Sequence, residues 1–281
     1  MRAGTFDADA LPEEETWHPM EFTGERMVPE GAPASIFWEH IYRYRFASGF
    51  VRGSRVLDIA CGEGYGAASL LKAGAVSVIG VDISTEVCEH VRRKYHVDAR
   101  TGSAEDIPLP IRSVDVVVSF ETIEHVVKPQ VFLDECARCL APGGLLIISS
   151  PNRDVYGESG SGNPFHCSEL SQDELVSMIS SRFKRWQIYT QRPVSAPWWS
   201  LRSITALSSP WLTVRGFARL RESLVAIACP ETRVGPREEH RQSPVNAVLS
   251  KDPWLSSIVN QYAIRRRGSD KAEYIVVVAQ L

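Results

Sequence analysis

Short apolar runs alternate with segments of helical periodicity through most of the chain. Arg55–Ala60 is an apolar run that stops at a cluster of glycines, and it reads as a buried strand. A helix over Tyr65–Lys72 follows, then a second buried strand over Val76–Asp82. Ser84 stands where an N-cap belongs, with Glu86 and Glu89 near the N-terminal end of the helix expected over Thr85–Tyr95. Strands over Val97–Thr101, Ser113–Phe120 and Leu145–Ser150 continue the series. Between the last two lie a helix over Pro129–Leu140 and a turn at Ala141-Pro142-Gly143-Gly144. Upstream, residues 35–50 form an amphipathic helix in which Ile36, Phe37, Ile41, Tyr44 and Phe50 share a face. Downstream come a helix over Ser171–Ser181 capped by Ser171, a strand over Phe183–Thr190 and a final strand over Glu273–Leu281.

Strand–helix alternation with continuously apolar strands predicts an α/β fold, its parallel strands covered on both faces. Ligands on such sheets bind beyond the carboxyl ends of the strands, near the point where strand order reverses. The chain divides into residues 1–50, an arm and helix; 51–192, the core; 193–272, an insertion; and 273–281, the last core strand. Residues 1–20 are acidic, lack periodicity and are expected to be loosely attached. The insertion holds twelve Lys/Arg against six Asp/Glu, together with Trp198, Trp199, Trp211 and Trp254. It is too long for a hairpin loop and reads as a mostly helical cap over the substrate side.

The composition, 44% hydrophobic and 23% charged over 281 residues, is that of a folded globular protein. A net charge of −3 gives no global footprint for nucleic acid. No apolar run approaches the ~18 residues that cross a bilayer. Met1–Glu15 is acidic and holds no apolar signal core, so the expected location is the cytoplasm. The six cysteines are then reduced thiols packed as small hydrophobes, including the Cys136/Cys139 pair, which lies inside a helix.

Candidate chemistry starts at Val56-Leu57-Asp58-Ile59-Ala60-Cys61-Gly62-Glu63-Gly64-Tyr65-Gly66. Glycines directly after a strand let the backbone approach a ligand closely. Such a turn alone fits any nucleotide fold. Here an acid, Asp58, precedes the glycines, and a second, Asp82, ends the next strand, where it can accept both hydroxyls of a ribose. Glu63 among the glycines disfavours a pyrophosphate and suits a cationic sulfonium ligand.

With these features the chain resembles the class I S-adenosylmethionine-dependent methyltransferases over about residues 50–190 plus the final strand. The resemblance implies a Rossmann-like sheet, mainly parallel with an antiparallel final strand, and S-adenosylmethionine as cofactor. It places Asp58, Ala60, Gly62 and Gly64 at the methionine part and Asp82 with Ile83 at the ribose. Ser103, Ala104 and Glu105 fall in the loop that meets adenine, with Ser103 where the family often carries Asp. Phe120 and Glu121 line the methyl-transfer face. The segment Phe22-Thr23-Gly24-Glu25-Arg26-Met27-Val28-Pro29, with Glu39-His40 and Arg43-Tyr44, looks like bacterial methyltransferases of glycan or natural-product assembly. In those enzymes this arm folds over the cofactor, so Arg43 and Tyr44 are expected to serve the methionine carboxylate.

Methyl transfer to a hydroxyl requires alignment of the acceptor and removal of its proton. Glu121-Thr122-Ile123-Glu124-His125 follows the fourth strand, and a helical turn there would put Glu121, Glu124 and His125 on one face. His166 follows the fifth strand. Two carboxylates and two imidazoles suit a divalent cation such as Mg2+, bound by Glu121, Glu124, His125 and His166. The pattern is similar to the E-x-x-E-H element of small-RNA 2′-O-methyltransferases and ubiquinone-pathway O-methyltransferases. Without metal, His125 or His166 serves as general base beside Glu121; in a third reading Glu124 and His125 only order the loop. His90 and His96 read as solvated helix residues, and His18, His40 and His240 lack companions.

The basic, Trp-rich insertion suggests an acceptor that is anionic, aromatic or a sugar: a sugar nucleotide, a lipid-linked glycan or a secondary-metabolite scaffold, methylated at a hydroxyl or amine. Arg265-Arg266-Arg267 is either a solvated run or a patch for phosphate or a peripheral membrane contact. Two alternatives stay open: a metal-dependent 2′-O-methyltransferase acting on RNA or a diol, and a catalytically idle S-adenosylmethionine-binding partner protein.

Overall fold

The computed structural model describes residues 20, 26–29, 31–156, 165–191, 264–266 and 272–281. The strands are β1 (Arg55–Ile59), β2 (Ser77–Asp82), β3 (Asp98–Thr101), β4 (Val114–Ser119), β5 (Leu140–Pro151), β6 (Arg185–Gln191), β7 (Arg265–Arg266) and β8 (Tyr274–Gln280). They form one sheet in the order β3-β2-β1-β4-β5-β8-β6-β7. The pairs from β3 through β5 are parallel, while β8 runs antiparallel between β5 and β6. The chain builds outward from β1 to β3 and then crosses to β4 on the other side. The switch point therefore lies between β1 and β4, and a crevice opens beyond their carboxyl ends.

The helices are α1 (Ala34–Ala47), α2 (Tyr65–Lys72), α3 (Thr85–Tyr95), α4 (Pro129–Cys139), the short α5 (Arg153–Tyr156) and α6 (Gln172–Ser180). Alternation along the strands divides the core between the two faces of the sheet. Val56, Val118, Ile147 and Val276 pack with α1, α2 and α3. Leu57, Val117, Leu146 and Ile148 pack on the other face against Phe132 and Leu133 of α4 and Leu175 and Ile179 of α6. The caps are as expected: Ser84 accepts from the Val87 amide, and Ser171 forms a reciprocal capping box with Glu174.

The structure differs from expectation at three points. Ala141–Gly144 is a bulge at the start of β5 instead of a free turn, since Val114 faces Leu140 while Val116 faces Leu145. Gly143 there has φ +78°, and a Cβ on Gly144 would lie 2.9 Å from the Ala141 and Asp115 carbonyl oxygens. Within the insertion, Arg265–Arg266 pair with Tyr189 and Thr190 as an edge strand. Finally, His90 is buried, not solvated. The remaining expectations for 193–263, including the cap, its tryptophans and His240, lie outside the described residues, as do His18 and Cys229.

Cys61, Cys88, Cys136 and Cys139 are buried free thiols, and Cys167 is an exposed one. Among the described residues no helix is long and apolar enough to cross a membrane.

Candidate active site

A cavity of 620 Å³ lies beyond the carboxyl ends of β1, β2 and β4, with α1 as a further wall. Its floor is the turn after β1, where Ala60 and Gly62 take positive φ values of 57° and 53°. Both line the cavity. The Gly62 amide donates to Asp82 Oδ2 at 3.0 Å and the Ser84 amide to Oδ1 at 3.0 Å, which fixes the Asp82 carboxylate at the cavity wall. Exposed Ile83, then Ser103, Ala104 and Glu105, continue the wall from Asp82. Ser103 Oγ accepts from the Glu105 amide, and Glu105 accepts from the Lys128 amide, so this loop is tied to the start of α4.

Gly64 and Glu63 of the turn, and Asp58 of β1, make contacts that their positions in the sequence do not announce. Gly64 does not line the cavity: it is left-handed at φ +97°, and a Cβ there would lie 2.6 Å from Val91 and 3.0 Å from Tyr95. Glycine at 64 thus serves the close contact of the turn with α3. Glu63 gives its carboxylate to His90 Nε2 (2.9 Å), Lys94 Nζ (2.6 Å) and Tyr95 Oη (2.7 Å). Burial opposes its charge, but these partners offset that and hold its carboxyl below the usual range. Its charge is met inside the protein by these three partners, although the residue also borders the cavity.

The third is Asp58, fully buried and set behind the wall. Tyr44 covers it and donates to both carboxylate oxygens, at 3.1 and 3.2 Å. Burial pushes the Asp58 carboxyl up to about 7, against the pull of the Tyr44 hydrogen bond. Arg43 is likewise fully buried and absent from the cavity lining. Its Nε donates to Gln191 Oε1 at 2.9 Å, and its guanidinium lies 4.3 Å over the Tyr274 ring and 3.6 Å from Glu121. It is a strut between α1 and the β6/β8 side of the sheet.

After β4, Phe120 and Glu121 line the cavity. Glu121 has φ +51°; its amide donates to Ser149 Oγ, which donates back to Glu121 Oε1 at 2.9 Å. The next residues form a single 3-10 turn, Ile123–His125, in place of an α-helical one. That geometry turns Glu121 toward Ser149 and Arg43 and leaves Glu124, His125 and His166 as the cluster. Their ligand-capable atoms lie within 4.8 Å of one another. Glu124 is fully buried, and neither carboxylate oxygen has a hydrogen-bond partner from another residue. Burial and then the Glu121 charge push its carboxyl well above the usual range. His125 Nδ1 meets the Phe165 carbonyl at 2.8 Å, and His166 Nδ1 meets Glu169 at 2.7 Å.

Among the cavity residues, Tyr274 was missed by sequence reasoning, while Glu39 and His40 were named only as part of the arm segment and given no role. His40 does have a companion: Nδ1 lies 3.1 Å from Tyr65 Oη. Burial, then Arg43, holds its imidazole well below the usual range, so it is neutral. Glu39 is pushed up to about 7 by burial, against the attraction of Arg43. The i, i+1, i+4, i+5 spacing of Glu39, His40, Arg43 and Tyr44 was the available signal, since it defines one helix face. Arg26, from the arm, lies 3.8 Å from Asp82.

The sheet order and the position of the cavity are those of a Rossmann-like α/β fold. The crystal structure of an S-adenosylmethionine-dependent methyltransferase from Thermotoga maritima, described as a possible histamine N-methyltransferase, superposes with a TM-score of 0.53. It covers 87% of this chain and 92% of that one at 16% identity. Residues 57–148 match the methyltransferase domain family. A probable S-adenosylmethionine-dependent methyltransferase of Mycolicibacterium smegmatis is 40% identical over 167 residues, 58% of this chain and 64% of that protein. A ubiquinone biosynthesis O-methyltransferase of Bradyrhizobium diazoefficiens is 41% identical over 107 residues, 36% of this chain and 42% of that protein. The chain thus spans less than two thirds of the length of these curated relatives.

Proposed function

We propose that the protein transfers the methyl group of S-adenosylmethionine to a hydroxyl of a sugar, glycan or natural-product acceptor. One observation carries the reading: a single cavity is lined both by Gly62, Asp82 and Ser103 and by the Glu124–His125–His166 cluster. The residues present fit the cofactor. Gly62 leaves the floor bare, Asp82 presents a preset carboxylate for vicinal hydroxyls, and Ile83, Ala104 and Val126 offer apolar surface for a flat base. When bound, the cofactor supplies an electrophilic methyl on a sulfonium leaving group.

The rest falls to this chain. Phe120 and Glu121 form the wall between the two ends, with Glu121 locked by Ser149. His125 donates through Nδ1 to the Phe165 carbonyl, which makes Nε2 the basic atom of the neutral ring. That nitrogen takes the acceptor proton, and the His166–Glu169 pair beside it stabilises the resulting charge. Transfer of labelled methyl to a panel of sugars, glycan intermediates and phenolic scaffolds tests the reading. Labelled product is expected; binding of cofactor with no turnover on any acceptor class favours an idle binding protein instead.

A second reading puts a divalent cation at Glu124, His125 and His166. It is favoured by the unpartnered Glu124 oxygens and by the outer contacts that orient both imidazoles, as metal-ligand histidines usually have. Glu121 is not part of that set. Chelation that removes activity, with recovery on adding Mg2+, supports it; full activity after chelation refutes it.

A further inference from the structure

The carboxylate at the end of β2 already faces a cation from the arm. Arg26 Nη2 lies 3.8 Å from Asp82 Oδ1, and both residues line the cavity. The stem of the same side chain rests on the turn after β1. A Cβ on Gly62 would sit 3.4 Å from Arg26 Cγ and 3.7 Å from Arg26 Cδ. Arg26 thus lies along Gly62 and Asp82, the two residues where the proposed function seats the ribose. A ligand there and the Arg26 side chain compete for the same space and the same carboxylate.

The chain that follows keeps Arg26 near this spot. Met27 and Val28 are buried, and the Gly31 and Ala32 amides donate to the Val28 carbonyl at 3.1 and 2.9 Å, in a turn that leads into α1. The Arg26 side chain itself is 26% exposed, so it can turn out to solvent without disturbing that anchor. Asp82 cannot follow it, because the Gly62 and Ser84 amides fix both of its oxygens.

We propose that Arg26 is an intramolecular occupant of the ribose subsite, which the ligand must displace from Asp82. The proposal rests on the cofactor reading above, and it runs opposite to an arm that closes over the cofactor and helps to hold it. Apparent affinity is then the intrinsic affinity scaled by the fraction of molecules in which Arg26 is turned out. At 3.8 Å the pair is too long for a hydrogen bond and it is partly exposed, so it holds the site weakly and salt loosens it.

The test is calorimetric titration of full-length wild type and R26A with S-adenosylhomocysteine and with adenosine, each at low and at high salt. Both ligands carry the ribose and no net charge, so salt acts mainly on the protein's own ion pair. Thermal unfolding confirms that both proteins are folded. R26A is expected to bind both ligands more tightly by the same factor, about two- to fivefold, the scale of a part-exposed ion pair. Wild type should approach R26A as salt rises, while R26A stays level. Equal affinity of the two proteins overturns the proposal, as does a gain confined to one ligand, which places the conflict away from the ribose. A loss of affinity in R26A also overturns it: confined to S-adenosylhomocysteine, it makes Arg26 a contact for the amino-acid end, and shared by both ligands, a cover over the nucleoside. Failure of wild type to bind either ligand strikes the cofactor reading itself, and the proposal with it.

Discussion

Replacing Asp58 with Asn makes the unliganded protein more stable, and increasingly so as pH rises. The Asp58 carboxyl is fully buried, and burial lifts it from 3.8 to about 7. A carboxyl raised in the folded state is protonated there while the unfolded chain has already ionised. Its contribution is therefore fully present below the unfolded value and is lost as pH rises through the folded one. The shift is about three pH units at ~1.4 kcal/mol each, so the loss complete above pH 8 is on the order of 4 kcal/mol. About 2–3 kcal/mol of it falls between pH 5 and pH 8. Asn does not titrate and can still accept the Tyr44 proton, so D58N escapes this loss. Urea unfolding of both proteins at pH 5 and pH 8 measures the difference directly. The stability gap should widen toward pH 8, and Glu39, also raised to about 7, cancels because both proteins contain it. Parallel stability of wild type and D58N across the range would refute a carboxyl raised by burial beneath Tyr44.

Other substitutions probe neighbouring contacts. Gly66→Ala gains helix propensity, yet its Cβ collides with Tyr44 Cζ at 2.0 Å; a net loss of about 1–3 kcal/mol is expected from overpacking, read by urea unfolding. Glu63→Ala removes the buried carboxylate that His90, Lys94 and Tyr95 share and should cost about 3 kcal/mol or more. It should leave S-adenosylhomocysteine affinity nearly unchanged in calorimetry; a large affinity loss in a folded variant would return Glu63 to the ligand. His166→Ala should spare cofactor binding and impair turnover in the labelled-methyl assay, and unimpaired turnover would remove His166 from the acceptor end.

Much of the fold was legible because its signals are local. Apolar runs with helix caps between them place β1 to β5 and α2 to α4 within a residue or two at most ends. The bulge at Ala141–Gly144 was not, since Pro and Gly in a row signal a turn whether or not a neighbouring strand recruits them. In the site, the placement of Asp82 on the cavity wall was legible because it ends a strand. Asp58, Glu63 and Gly64 have equally suggestive positions, but their partners come from α1 and α3, and only tertiary contact decides that. Glu121 separates from Glu124 and His125 because the chain makes a 3-10 turn there, and the spacing of three and four residues assumes an α-helix. Tyr274 enters the cavity because β8 is inserted beside β5, a pairing no local pattern encodes.

The most direct test of the cofactor site is calorimetric titration of S-adenosylmethionine into wild type and Asp82→Ala. Asp82 is held by the Gly62 and Ser84 amides at the cavity wall, and the proposed function has it accept two ribose hydroxyls. Wild type should bind at a single site, and D82A, shown to be folded by circular dichroism, should show no measurable binding. Equal affinity in the two proteins would mean that the cofactor, if it binds, lies elsewhere.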